Sequence, residues 1–268
     1  MGVWAIDLDG VVWRGETLVP GSDLAVRRLL DAGHRVVFCT NHAQSPAKKA
    51  AELAAMGVPD CPVVTSAEAA ASACLPGQRV LAMGDPTLVQ VFADAGLGVV
   101  DVFDVPDGHP VGDIDVVVVG ACPNWDRSRV GMVADAVRAG ARFLATNDDP
   151  TYPVTGPVGR RLLPGNGALV AAVATASGRD AEVTGKPHRA TASLLVERYG
   201  PVDVVVGDKP ETDGGLAVTL GARFGLVLSG VTSAAHLPVE PTPWTVGADL
   251  AALVDAVLAD AGLAEEGP

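Results

Sequence analysis

The chain has 268 residues, 49% of them hydrophobic and 19% charged, and a formal net charge of −13. That length predicts one large or two modest domains, and the apolar content supplies an ordinary core rather than a disordered chain. The acidic balance argues against nucleic acid or anionic membrane as the main partner, since both require a basic face, and no apolar run approaches the roughly 20 residues of a spanning helix.

The chain enters a strand-like run at once, Val3-Trp4-Ala5-Ile6, without a basic leader, and its four cysteines (Cys39, Cys61, Cys74, Cys122) are scattered. Both features lead us to expect reduced thiols in a cytoplasmic protein.

Short apolar runs alternate with longer amphipathic ones. A strand is expected over Val3 to Leu8, then a helix over Ser22 to Ala32 with Gly33 as its stop signal. Next come a strand over Arg35 to Cys39 and a helix over Pro46 to Met56, which has proline at its start and Gly57 after it. Further strands are expected at Val80 to Met83, Val116 to Val119, Arg142 to Ala145, Val202 to Val206 and Phe224 to Leu228. Helices are expected at Val130 to Ala139, Ala168 to Ala176, Arg189 to Tyr199 and Ala248 to Ala259. Runs such as Val116-Val117-Val118-Val119 are apolar on both faces, as in parallel strands covered by helices on each side. Strand–helix alternation along the chain predicts a doubly wound, Rossmann-like α/β fold. Two stretches, Val105 to Asp113 and the proline-rich Asp148 to Gly165, read as irregular loops.

In open α/β sheets, ligands sit beyond the carboxyl ends of the strands. After the first strand stands Asp7-Leu8-Asp9-Gly10. Alternation along an extended chain lets Asp7 and Asp9 point the same way. Two carboxylates so close repel, and a hard divalent cation with oxygen ligands would relieve that cost. The same four residues serve equally well as a polar turn. After the second strand stands Thr40-Asn41-His42, which suits a loop whose N–H groups cradle an anion, or simply a helix entry leading to Pro46. Gly185-Lys186-Pro187 can present a point charge to a phosphate, although a solvated surface lysine is the commoner reading. After the strand ending at Val206, Gly207-Asp208 through Asp213 places two more acids around a turn, a common arrangement when taken alone.

The joint order is rarer than any one of these signals: an acid pair, a hydroxyl loop, a lysine, and a second acid pair, each after a strand or before a helix. In that order the chain resembles the haloacid dehalogenase-like (HAD) hydrolase superfamily, in particular its NagD/4-nitrophenylphosphatase/phosphoglycolate phosphatase-like branch with a type IIA cap. Asp7-Leu8-Asp9-Gly10-Val11-Val12-Trp13 is similar to the first motif of that family, Cys39-Thr40-Asn41 to the second, Gly185-Lys186-Pro187 to the third, and Gly207-Asp208 through Asp213 to the fourth. Ala145-Thr146-Asn147-Asp148-Asp149 and Pro164-Gly165-Asn166-Gly167 are similar to cap-associated segments of the branch. The chain departs from the pattern at His42, where the branch often has a second asparagine, and at Lys209-Pro210-Glu211.

The resemblance implies a HAD core made of residues 1–78 and 185–268, with an inserted α/β cap of type C2 over 79–184 that sets specificity. It implies a phosphatase in which Asp7 is the nucleophile, forming an aspartyl phosphate, and Asp9 is the general acid and base. Magnesium would be bound by Asp7, the Asp9 backbone carbonyl and Asp208, with Asp213 holding the metal's waters. Thr40, Asn41 and Lys186 would hold the phosphoryl group. Asn147, Asp149 and the Tyr152 to Leu163 loop would meet the leaving group, and in that loop Arg160 and Arg161 would contact a second anionic group on the substrate or simply form a solvated stretch. Having Asp9 points to phosphoryl transfer rather than dehalogenation. The implied substrate is a small phosphorylated metabolite, and the implied assembly is a homodimer through the cap. The alternatives are a phosphotransferase of the same fold, or a silent regulator that binds phosphometabolites. The −13 charge is no obstacle, because salt screens distant charge over about 8–10 Å while a cation, a lysine and N–H groups act locally.

Overall fold

The computed structural model describes residues 1–109, 112–156 and 159–265, with the backbone alone at 153–156, 159–160 and 261–265. The chain divides into two compact units. The first comprises Met1–Thr40, Pro46–Val64 and Lys186–Pro268, and the second Asn41–Ser45 and Thr65–Gly185.

The first unit is built on a six-stranded sheet. In sheet order its strands are Thr245–Gly247, Arg223–Val227, Val204–Gly207, Val3–Ile6, Arg35–Thr40 and Val63–Thr65. Numbered along the chain, that order is 6-5-4-1-2-3. The pairs from Arg35–Thr40 across to Thr245–Gly247 are all parallel. This is the doubly wound arrangement, and its strand order reverses between Val3–Ile6 and Val204–Gly207. Both of those strands are buried along their whole length, as their unbroken apolar runs require. The helix Ser22–Asp31 buries Ala25, Val26 and Leu29, one stripe at helical spacing. That stripe joins Trp4, Ile6, Phe38, Val204, Val206 and Leu253 in one core cluster.

The second unit holds a five-stranded parallel sheet, in the order Glu182–Val183, Arg142–Ala145, Val116–Val119, Arg79–Met83, Gly98–Asp101. All four residues of Val116–Val119 are buried. The 79–184 segment expected as an insertion falls inside this unit, whose long stretch begins earlier, at Thr65, and which also takes in Asn41–Ser45. There Thr65 and Glu68 form a reciprocal capping box that starts the helix Ser66–Ser72. Ala67, Ala70 and Ala71 of that helix pack with Val80, Ala82, Leu88 and Phe92 of the same unit.

Several boundaries differ from the sequence-based expectation. Asp148 to Gly165, read as an irregular loop, contains an antiparallel hairpin, Thr151–Gly156 with Gly159–Pro164. A two-stranded ribbon is all edge, so Pro153 can face Leu162 without breaking a central ladder. The helix expected from Val130 starts at Arg127, because the Asp126 carboxylate accepts the Arg129 N–H at 2.9 Å and caps a polar first turn. The first strand stops at Ile6 rather than Leu8, since Leu8 has turned to accept N–H groups further on. The Val105 to Asp113 stretch carries no helix or strand among its described residues; its residues 110 and 111 lie outside them. No helix among the described residues is long and apolar enough to cross a membrane.

Candidate active site

The reversal of strand order places two acids side by side. Val3–Ile6 and Val204–Gly207 run in parallel register, Ile6 opposite Val206, and the Asp7 N–H donates to the Val206 carbonyl at 2.9 Å. Asp7 therefore leaves its strand beside Asp208, which leaves the neighbouring one. The turn Pro210–Gly214 brings a third acid back, with the Lys209 N–H donating to Asp213 Oδ2 at 3.1 Å. Lys186 completes the group: its Nζ lies 2.7 Å from Asp7 Oδ1 and 2.7 Å from Asp213 Oδ1.

Three glycines make room for these carboxylates. A Cβ on Gly207 would collide with the Asp213 carboxyl group, and one on Gly230 would collide with Asp208. Gly10, at φ +80°, faces Asp208 as well, so both its conformation and its surroundings require glycine. Asp208 is further held by the Val231 N–H, which donates to Oδ2 at 2.5 Å. The Ser229 hydroxyl donates to the Gly10 carbonyl at 2.6 Å, tying the loop after Arg223–Val227 to the first motif.

Burial and like charge strain this group electrostatically. The Asp7 carboxyl is pushed well above the ordinary carboxylate range, first by burial and then by Asp213 and Asp208, against the opposing pull of Lys186. Asp208 is raised to about 6 by burial and by Asp213. Burial alone would lower Lys186, but Asp213 and Asp7 more than offset it and hold the ammonium well above its usual value. Three carboxylates share one lysine, so the ionised site carries surplus negative charge.

That surplus fits a cation. Among the described residues, Asp7, Asp208 and Asp213 offer carboxylate oxygens that all lie within 4.8 Å of one another. An all-oxygen donor set on a rigid, glycine-cleared floor suits a hard divalent ion, which would relieve the repulsion that raises Asp7 and Asp208.

The remaining expected residues are placed as follows. Asp9, half-buried, accepts the Trp13 indole N–H at 3.0 Å on Oδ1. Thr40 is buried at the carboxyl end of Arg35–Thr40, in the first unit. Asn41 belongs to the second unit, where its carbonyl accepts from Ser66 Oγ at 2.8 Å and from Asn147 Nδ2 at 2.9 Å. Asn147 is buried, and its Oδ1 accepts the Asp149 N–H at 3.2 Å, so its amide is occupied at both ends in fixing that loop. On the hairpin, Tyr152, Arg161 and Leu162 are exposed, while the side chain of Arg160 lies outside the described residues. Sequence reasoning did not assign Trp13, Ser229 or Val231 a part in the site. Trp13 stands four residues past Asp9, and Ser229 and Val231 follow a strand's carboxyl end, which was the available signal.

Known proteins resemble this chain over most of its length. Residues 4–98 match the family model described as haloacid dehalogenase-like hydrolase, and residues 183–253 match a second, HAD-hydrolase-like model. The chain is 39% identical over 259 residues to a D-glycerol 3-phosphate phosphatase of Mycobacterium tuberculosis, covering 92% of this chain and 69% of that protein. It is 31% identical over 236 residues to the ribonucleotide monophosphatase NagD of Escherichia coli, covering 85% and 87%. A crystal structure of the M. tuberculosis glycerol phosphate phosphatase in complex with magnesium superposes with a TM-score of 0.80 at 37% identity, covering 94% of this chain and 76% of that one. The chain belongs to the haloacid dehalogenase-like hydrolase family. Within it, the chain falls in the NagD-like branch, whose matched members are phosphatases.

Proposed function

We propose that this chain is a Mg²⁺-dependent phosphoric monoester hydrolase that acts on small phosphorylated metabolites through an aspartyl-phosphate intermediate. The observation that carries the reading is the Asp7 carboxylate, held by Lys186 at 2.7 Å at the switch point of the sheet, with Asp208 and Asp213 close enough to share a cation. The support from relatives is that proteins of this branch are named as phosphatases and that one was crystallised with magnesium.

In the first step an Asp7 oxygen attacks phosphorus, the P–O bond to the leaving group breaks, and Asp9 gives its proton to the departing alkoxide. In the second step water attacks phosphorus while Asp9 takes back a proton. The P–O bond to Asp7 breaks, freeing inorganic phosphate and restoring the carboxylate. Lys186, with Thr40 and Asn41, is assigned to the phosphoryl oxygens, whose charge must be offset as the group transfers. Magnesium held by Asp7, Asp208 and the Asp9 carbonyl, with Asp213 behind it, would neutralise charge on the phosphoryl group and the nucleophile. The second unit is proposed to act as the specificity domain.

The test is a screen of phosphorylated metabolites for phosphate release, with and without EDTA. It should begin with glycerol phosphate and ribonucleotides, the substrates named for the two relatives. Release that stops with EDTA and returns with Mg²⁺ is expected. Release that occurs only when an acceptor alcohol is added would replace the hydrolase with a phosphotransferase.

A further inference from the structure

Trp13 and Lys49 are two buried groups that this mechanism does not use; Trp13 is bonded to Asp9, and Lys49 lies against the Trp13 ring. The Trp13 indole is 3% exposed and donates to Asp9 Oδ1 at 3.0 Å. The Lys49 ammonium, on the helix Pro46–Ala55, lies 5.5 Å from the centre of the Trp13 ring and pairs with Glu52 at 2.8 Å. Lys49 is buried as well, which is uncommon for a lysine and calls for a reason.

The local backbone fixes this contact. The Leu8 carbonyl accepts the N–H groups of Val11, Val12 and Trp13 at 3.3, 2.8 and 3.1 Å, and the Gly10 N–H donates to the Trp13 carbonyl at 2.7 Å. This tight turn carries the chain back over itself, so that the residue four positions past Asp9 lies against its carboxylate. A buried indole N–H needs an acceptor, and here the acceptor is one of the two oxygens of the acid rather than a backbone carbonyl.

We propose that Trp13 is a positioning residue for the general acid and base, and that Lys49 strengthens its hold. This inference rests on the phosphatase reading in which Asp9 is that acid. An indole nitrogen donates and never accepts. Oδ1 of Asp9 is therefore the acceptor throughout the cycle, and the proton exchanged with the leaving group and the water is carried on Oδ2. A carboxyl that turned over would offer the indole N–H its hydroxyl oxygen, a poorer acceptor than the unprotonated one. The cation against the ring draws electron density from the indole and makes its N–H a better donor.

The test uses the full chain with Mg²⁺ and two esters: an alkyl phosphate turned over in the metabolite screen, and 4-nitrophenyl phosphate. Alkoxide departure needs a proton, whereas nitrophenolate departure does not. For Trp13→Phe, which keeps an aromatic ring of smaller size and removes the N–H, we expect kcat/KM on the alkyl ester to fall by about tenfold or more and on the aryl ester by less than about threefold. Lys49→Met should show the same alkyl-selective loss at a smaller size. A structural defect would lower both esters together, so equal losses on the two esters, or no loss on either, overturn the proposal. If Trp13→Phe does not fold, Lys49→Met decides by the same criterion. Asp9→Asn separates the two levels of the claim. If it is impaired on the alkyl ester and Trp13→Phe is not, the positioning role fails and the phosphatase reading stands. If Asp9→Asn is unimpaired, the acid assignment itself fails and takes the positioning role with it.

Discussion

Asp7 and Lys186 form an ion pair of 2.7 Å in which the side chains are only 12% and 3% exposed. The same ammonium reaches Asp213 at an equal distance. A pair this buried is costly to assemble, and removing one partner costs more than the pair contributes, because the other charge is left unpaired out of water.

Lys186→Met should therefore damage both folding and catalysis. Without metal, we expect a loss of about 3–5 kcal/mol in urea unfolding, typical of a buried pair broken on one side. Added Mg²⁺ should recover part of that loss by taking over the carboxylates. Phosphate release should fall by at least about a hundredfold even in folded protein, since removing one stabiliser of transition-state charge commonly has that effect. Unchanged stability would mean that the three acids do not depend on this lysine.

The metal-free protein should lose stability as pH rises. Asp208 titrates at about 6 in the fold against 3.8 for the free side chain, and Asp7 is also raised. Between those values the folded chain holds more protons than the unfolded one, so the slope of stability against pH is negative there. This contribution is fully present below about pH 4 and is lost as pH passes about 6. Thermal melts in EDTA should show a smaller decline between about pH 4 and 6 for Asp208→Asn than for the parent, and Mg²⁺ should raise the melting temperature most near pH 7. Identical pH slopes for the two proteins would contradict the strained-acid picture.

Gly230→Ala tests whether the floor of the site was cleared for Asp208. The added methyl would collide with that carboxylate. We expect Mg²⁺ affinity, read by calorimetric titration, to weaken by about tenfold or more, the usual consequence of disturbing what orients a ligand. Affinity equal to the parent's would show that Asp208 can move aside at no cost.

Most of the core's architecture was legible because the signals were local and strong. Valine runs at Val116 and Val202 announced buried parallel strands, and the acids at Asp7 and Asp208 sit directly beyond strand ends, where such sheets bind ligands. What sequence could not supply was pairing across long separations. The register that sets Ile6 against Val206 decides that Asp7 and Asp208 are neighbours, and nothing near either residue encodes it. The hairpin at Thr151–Gly156 was hidden by its prolines and glycines, which punctuate most chains but are tolerated in an edge ribbon. In the sequence Trp13 is one member of a motif, and its tie to Asp9 depends on the turn that closes on the Leu8 carbonyl. For Asn147 the resemblance implies a substrate contact, while its bond to the Asn41 carbonyl, 106 residues away in the chain, is visible only in the fold.

The central claim, covalent catalysis by Asp7, is tested most directly by Asp7→Asn. Phosphate release from 4-nitrophenyl phosphate in Mg²⁺ should be compared for the variant and the parent at matched, folded concentrations. A loss of at least about a thousandfold is expected, because the variant lacks the nucleophile on which both steps depend. Equal rates for the two proteins would contradict the mechanism.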